Sequence, residues 1–155
     1  MTDSFDDLRD LYQEVILDHG RRPRHARRLE SFDATAEGDN PMCGDHIEVW
    51  VKYAPDGTIA DTGFQARGCA ISVASADLMA ETVIGRSRSD THALFEAFRE
   101  MARTGTCKHC DAALAEPLER LAGVHEYPSR VKCATLAWHA LVAALEGGKE
   151  AASSE

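Results

Sequence analysis

The sequence predicts an α+β domain in two layers, a small antiparallel sheet packed against helices. Two observations carry that expectation. Alternating apolar residues with a turn signal occupy the first half, while three- and four-residue apolar spacing fills the second. No repeat and no linker divides the 155 residues, so residues 1–145 read as one domain followed by a flexible, polar tail over 146–155.

The first element is helical. Phe5, Leu8, Leu11, Tyr12, Val15 and Ile16 form one apolar stripe, with Ser4 or Asp3 as cap and Gly20 as stop. The basic stretch Arg21–Arg28, broken by Pro23, reads as a loop that either docks on an acidic partner surface or is simply solvated. A weak strand falls at Phe32–Ala36. Stronger ones fall at His46–Tyr53, where Ile47, Val49 and Val51 share a face, and at Ile59–Arg67, joined through Pro55-Asp56-Gly57. Helices follow at Ile71–Ile84, Ser89–Arg103, Asp111–Leu121 and Arg130–Leu145, punctuated by Gly85, Gly105 and Gly123.

Composition narrows the function. Seventeen basic against 26 acidic residues give a net charge of −9, which disfavours nucleic acid because phosphate binding needs clustered positive charge. The acidic start MTDSFDDLRD lacks the basic and apolar regions of a signal peptide, and no apolar run is long enough to span a membrane, so a cytoplasmic protein is expected. Five cysteines, an odd number, fit a disulfide framework poorly; under reducing conditions they point to metal binding or thiol chemistry.

Three cysteines have suggestive surroundings. Cys43 precedes Gly44 and Asp45, and a glycine between thiol and carboxylate lets both aim at one point. Cys69 follows Gly68 at a strand-to-helix junction, and Cys133 falls where the last helix is expected to begin. Two thiols near helix N-termini would be favoured as thiolates. Three thiolates and a carboxylate suit a tetrahedral zinc shell, of formal charge about −2, which calls for nearby cations; Arg67, Arg130 and Lys132 are close in sequence. The hard ligand Asp45 suits a metal meant to exchange. Taken singly, Cys69 or Cys133 reads more readily as a small buried apolar residue than as a ligand.

Asn40-Pro41-Met42-Cys43-Gly44-Asp45, Gly68-Cys69-Ala70-Ile71-Ser72 and Arg130-Val131-Lys132-Cys133-Ala134-Thr135-Leu136 resemble the three cysteine motifs of the IscU/NifU-type superfamily, and most closely its SufU branch. Leu11–His19 resembles that branch's N-terminal helix. The resemblance implies the IscU/NifU-like (SufE/IscU) fold, a zinc ion held by Cys43, Asp45, Cys69 and Cys133, and a SufS-type cysteine desulfurase as partner. It implies sulfur accepted on Cys43 and passed to downstream iron–sulfur assembly proteins, the partner lending a histidine to zinc and so freeing the acceptor thiolate. Lys132, where cluster-scaffold relatives carry histidine, and the long stretch between Cys69 and Cys133 favour this sulfurtransferase over a scaffold for a [2Fe–2S] cluster.

Other residues read more plainly. Cys107-Lys108-His109-Cys110 departs from the SufU pattern; lacking a second CxxC, it reads as an exposed loop more readily than a redox or metal site. His46, next to Asp45 on a strand, should point to the opposite face. His19, His92, His125 and His139 read as helix-surface or loop residues, and Trp50 and Trp138 as packing.

Overall fold

The computed structural model describes residues 18–40, 44–105, 128–147 and 152–153. The expected first stripe from Phe5 to Ile16, the helix Asp111–Leu121 and the Cys107/Cys110 pair lie outside them. Three strands follow one another: β1 (Ala34–Asn40), β2 (Asp45–Tyr53) and β3 (Ile59–Arg67). Helix α1 (Ala70–Val83), helix α2 (Arg88–Thr104) and helix α3 (Pro128–Leu145) come after, as the change of periodicity indicates. The antiparallel sheet has the order β3-β2-β1, and in the tail Ala152–Ser153 forms a short β4 that pairs parallel with Gly38 and Asp39.

Alternation decides what each strand buries. Ile47, Val49 and Val51 on β2 face the helices together with Ala36 on β1 and Phe64 on β3, all buried. Helix α3 lies close to β1: a Cβ on Gly38 would come within 3.1 Å of Leu136 Cδ1. Helices α1 and α3 are buried on nearly every side and carry small residues, whereas α2 buries one face, led by Leu94, Phe95, Phe98 and Met101. Phe98 stacks on the fully buried Trp138, ring centroids 5.1 Å apart, so the packing reading of that tryptophan holds.

Helix ends follow local chemistry. Ser87 caps α2 by accepting from the Asp90 N–H, and Gly105 closes it in the left-handed conformation with its N–H on the Met101 carbonyl. The helical turn at 18–21 runs through Gly20, one residue past the expected stop.

The basic stretch is neither free nor idle. It runs along the outer edge of β3, where the Phe64 N–H donates to the His25 carbonyl. Arg27 forks onto both oxygens of Asp61, Arg28 lies over the Trp50 ring, and Leu29 is buried. Gly63 permits this approach, since a Cβ there would sit 2.2 Å from the Arg27 carbonyl oxygen. Exposed Arg24 donates to Asp18 at 2.6 Å, and that bond holds the Asp18 carboxyl below the usual carboxylate range.

His19 is not a surface residue. Its Nδ1 donates at 2.5 Å to Asp77, a fully buried carboxylate on α1 that also accepts the backbone N–H groups of Arg24 and His25 at 2.8 and 2.9 Å. A buried carboxylate needs such donors, and they tie the helical turn at 18–21 and the basic loop to the central helix.

Candidate metal centre

The site forms where the β1–β2 turn, the β3–α1 junction and α3 meet. Gly44, at φ +73°, donates its N–H to the Asn40 carbonyl at 2.9 Å and turns the chain into β2, so Asp45 enters on the helix-facing side of the sheet. Asp45 is buried, 2% exposed. Cys69 occupies the N-cap position of α1 but makes no side-chain capping bond, which leaves the thiol available for something else. Its backbone N–H, one of the helix's unpaired donors, goes instead to Asp45 Oδ1 at 3.0 Å. Asp45 Oδ2 stands 3.9 Å from Cys69 Sγ.

Gly68 makes this geometry possible. At φ +149°, a Cβ there would lie 1.9 Å from Asp45 Oδ1, inside the carboxylate. The glycine's adjacency to Cys69 was visible in the sequence, but the space it clears for Asp45 appears only once the strands are paired.

Cys133 is fully buried on α3 and completes a set: the ligand atoms of Asp45, Cys69 and Cys133 all lie within 4.8 Å of one another. Zinc–sulfur bonds of about 2.3 Å and zinc–oxygen bonds of about 2.0–2.2 Å give tetrahedral edges of roughly 3.5–3.8 Å. The Asp45–Cys69 separation is close to such an edge, and small side-chain rotations bring the rest to it. Two thiols and a carboxylate, with Asp45 and Cys133 buried and Cys69 partly exposed, therefore fit three corners of a zinc shell. Cys43 lies outside the described residues, two positions before Asp45.

One expectation about Cys133 is corrected. Helix α3 begins at Pro128, so Cys133 sits more than a turn inside it, beyond the reach of the N-terminal dipole. That electrostatic help applies to Cys69 alone. Lys132 is exposed beside Cys133. Arg67 pairs in register with His46, which puts it on the outer sheet face, away from Asp45. The Arg130 side chain is outside the described set. His46 points away from Asp45 as strand alternation requires, with Nδ1 donating to Asp39 Oδ1 at 2.6 Å.

A two-layer α+β domain with a cysteine–carboxylate cluster at the sheet–helix junction has the donors of a candidate metal centre, and comparison with known proteins supplies its family. Residues 11–146 match the NifU-like N terminal domain, and the chain belongs to that family. It is 42% identical to the iron–sulfur cluster assembly scaffold protein IscU of Streptococcus pyogenes serotype M1, over 90% of this chain and 85% of the relative. It is 36% identical to the zinc-dependent sulfurtransferase SufU of Bacillus subtilis, over 89% and 93%. Among solved structures, a SUF-system assembly scaffold protein from Fervidobacterium islandicum superposes with a TM-score of 0.78 at 30% identity, covering 85% of this chain and 94% of that one. Among the described residues no helix is long and apolar enough to cross a membrane.

Proposed function

We propose that this protein is a zinc-dependent sulfur-transfer protein of iron–sulfur cluster assembly, taking persulfide sulfur on Cys43 from a SufS-type cysteine desulfurase. The observation that carries the reading is the buried Asp45 carboxylate set among thiols, with Oδ1 occupied by the Cys69 N–H and Oδ2 facing the Cys69 sulfur. The similarity to a SufU over nearly its whole length supports it. So does Lys132, which stands where the resemblance gives cluster scaffolds a histidine.

When bound, zinc keeps its thiols deprotonated at neutral pH. The chain's own residues do the rest. Asp45 is anchored by one oxygen to the backbone while the other faces the Cys69 sulfur, so a metal ligand at this position could release without losing its place. Cys69 and Cys133 hold their positions from two packed helices, and exposed Lys132 offers a cation beside them. In the transfer itself the Cys43 thiolate attacks the sulfane sulfur of the donor persulfide. A new sulfur–sulfur bond forms at Cys43, the donor's bond breaks, and the donor cysteine leaves as thiolate. No external oxidant or reductant is required.

Adding the protein to its desulfurase should raise cysteine turnover, and mass spectrometry should find the added sulfur on Cys43. Cys43→Ala should return turnover to that of the desulfurase alone; retained stimulation would defeat the proposal. The second reading, favoured by the Streptococcus pyogenes relative, is a scaffold on which the same residues hold a [2Fe–2S] cluster as cargo. Anaerobic reconstitution separates the two, since a stable visible iron–sulfur spectrum supports the scaffold.

A further inference from the structure

We propose that the tail acts as a strap on the cysteine site: Ala152–Ser153 grips the stem of the turn leading into Asp45 and sets how readily that site opens. The consequence for a bound metal rests on the reading above. The grip itself does not.

The tail's composition does not call for an ordered strand. Residues 146–155, EGGKEAASSE, offer small and charged side chains and no large apolar anchor. Helix α3 nevertheless ends in a way that redirects the chain. Glu146 and Gly147 donate their N–H groups to the Val142 and Ala144 carbonyls, and Gly147, at φ +77°, takes the left-handed conformation that lets a chain leave a helix axis sharply. Strand β4 pairs parallel with Gly38 and Asp39 and lies against α3.

Its place on β1 is informative. The other border of the sheet, at β3, is sealed by the basic segment through the His25 carbonyl and the Arg27–Asp61 fork. Among the described residues β4 covers only two of the seven β1 positions, so edge protection is not what it achieves. What it grips is the weakest part of the strand, because Gly38, Asp39 and Asn40 are all poor strand formers.

From there the connection into the site is short. Asn40 pairs with Asp45, and its carbonyl accepts the Gly44 N–H at 2.9 Å. Asp45 Oδ1 in turn accepts the Cys69 N–H at 3.0 Å. Cys43 falls in sequence between Asn40 and Asp45. A ladder of two residue pairs works against the entropy of ordering the tail, so the strap opens far more often than the whole fold does. Each opening leaves the Gly38–Asn40 stem with β2 as its one sheet neighbour, and the two hydrogen bonds beyond it loosen.

The test is amide hydrogen exchange, followed by NMR, on the full-length protein as purified and on its Ala152→Pro/Ser153→Pro variant. The prolines remove whichever N–H the ladder uses and keep the tail's length. The Gly44 and Cys69 amides should exchange about three- to tenfold faster in the variant, the factor expected for the net loss of one hydrogen bond. The Phe64 amide at the far border of the sheet and the Gly105 amide at the end of α2 should keep their rates. Ser153→Thr, a better strand former at the same position, should slow exchange at Gly44 and Cys69. Equal rates at those two amides in the parent and the double variant would overturn the proposal. So would an increase shared by Phe64 and Gly105, which marks general loosening. Zinc-loaded protein supplies a second arm: the double variant should hand its metal to a chelator faster by a similar factor, and an equal rate overturns the link to the site. A protein that takes up no zinc counts against the metal reading instead, and the exchange arm still decides the strap.

Discussion

Asp45 combines two tasks in one side chain, and they can be separated. One oxygen accepts the Cys69 N–H; the other faces the sulfur. Asp45→Asn keeps an acceptor for the N–H while removing the anionic ligand, whereas Asp45→Ala loses both. Both variants should therefore hold zinc more weakly, but the alanine should unfold more easily than the asparagine by about 1–2 kcal/mol, the cost of a stranded backbone donor. Metal-free chemical denaturation measures the difference. Equal stability of the two apo variants would show that the backbone bond contributes nothing. The candidate ligand set came from the likeness of three cysteine motifs to a known family rather than from spacing, and the structure brings Asp45, Cys69 and Cys133 of that set together. The role of Gly68 was not legible, since a clash with a side chain 23 positions earlier is a property of the paired strands.

At the scale of the elements, strand and helix positions were readable wherever periodicity was strong. His46–Tyr53 and Ile59–Arg67 differ from the observed strands by at most one residue. The first strand was placed too early, at Phe32–Ala36 instead of Ala34–Asn40. Its second half, Gly38-Asp39-Asn40, consists of poor strand formers, and ladders with Asp45–Ile47 on one side and β4 on the other hold them extended. The link between His19 and Asp77 escaped sequence reading for a related reason: it joins residues 58 positions apart. A clue existed, for Asp77 is the sole charge in the small and apolar run Ala70–Ala80. Asp77→Ala strands the buried His19 ring and two partly buried backbone N–H groups. It should cost about 3–5 kcal/mol in denaturant unfolding, since three donors lose their shared acceptor at about 1–3 kcal/mol each. A loss below about 1 kcal/mol would mean that the helical turn and basic loop are held by other contacts.

For the molecule as a whole, the two-layer class followed from strands preceding helices, while the order of the strands did not, because pairing depends on contacts distant in sequence. The cysteine–carboxylate cluster draws on the start of β2, the β3–α1 junction and α3 together, so a metal bound there would couple its binding to global folding. With free zinc a thousandfold above its dissociation constant, the linkage is about 4 kcal/mol. For a chain of this size it corresponds to a rise in melting temperature of roughly 10 °C. Calorimetry with and without a chelator reads it directly, and identical melting curves would argue that the donors do not converge on a metal.

The arginine-rich segment lying along β3 has a practical consequence. Trypsin cleaves after arginine, and a cut within this segment that freed it from Phe64 and Trp50 would uncover the outermost strand's row of hydrogen-bonding groups and a large indole surface. Limited digestion would then yield a product prone to stick to its own kind long before the helical layer is attacked. Sample handling for this protein should treat that strip of basic residues as a seal to be kept intact.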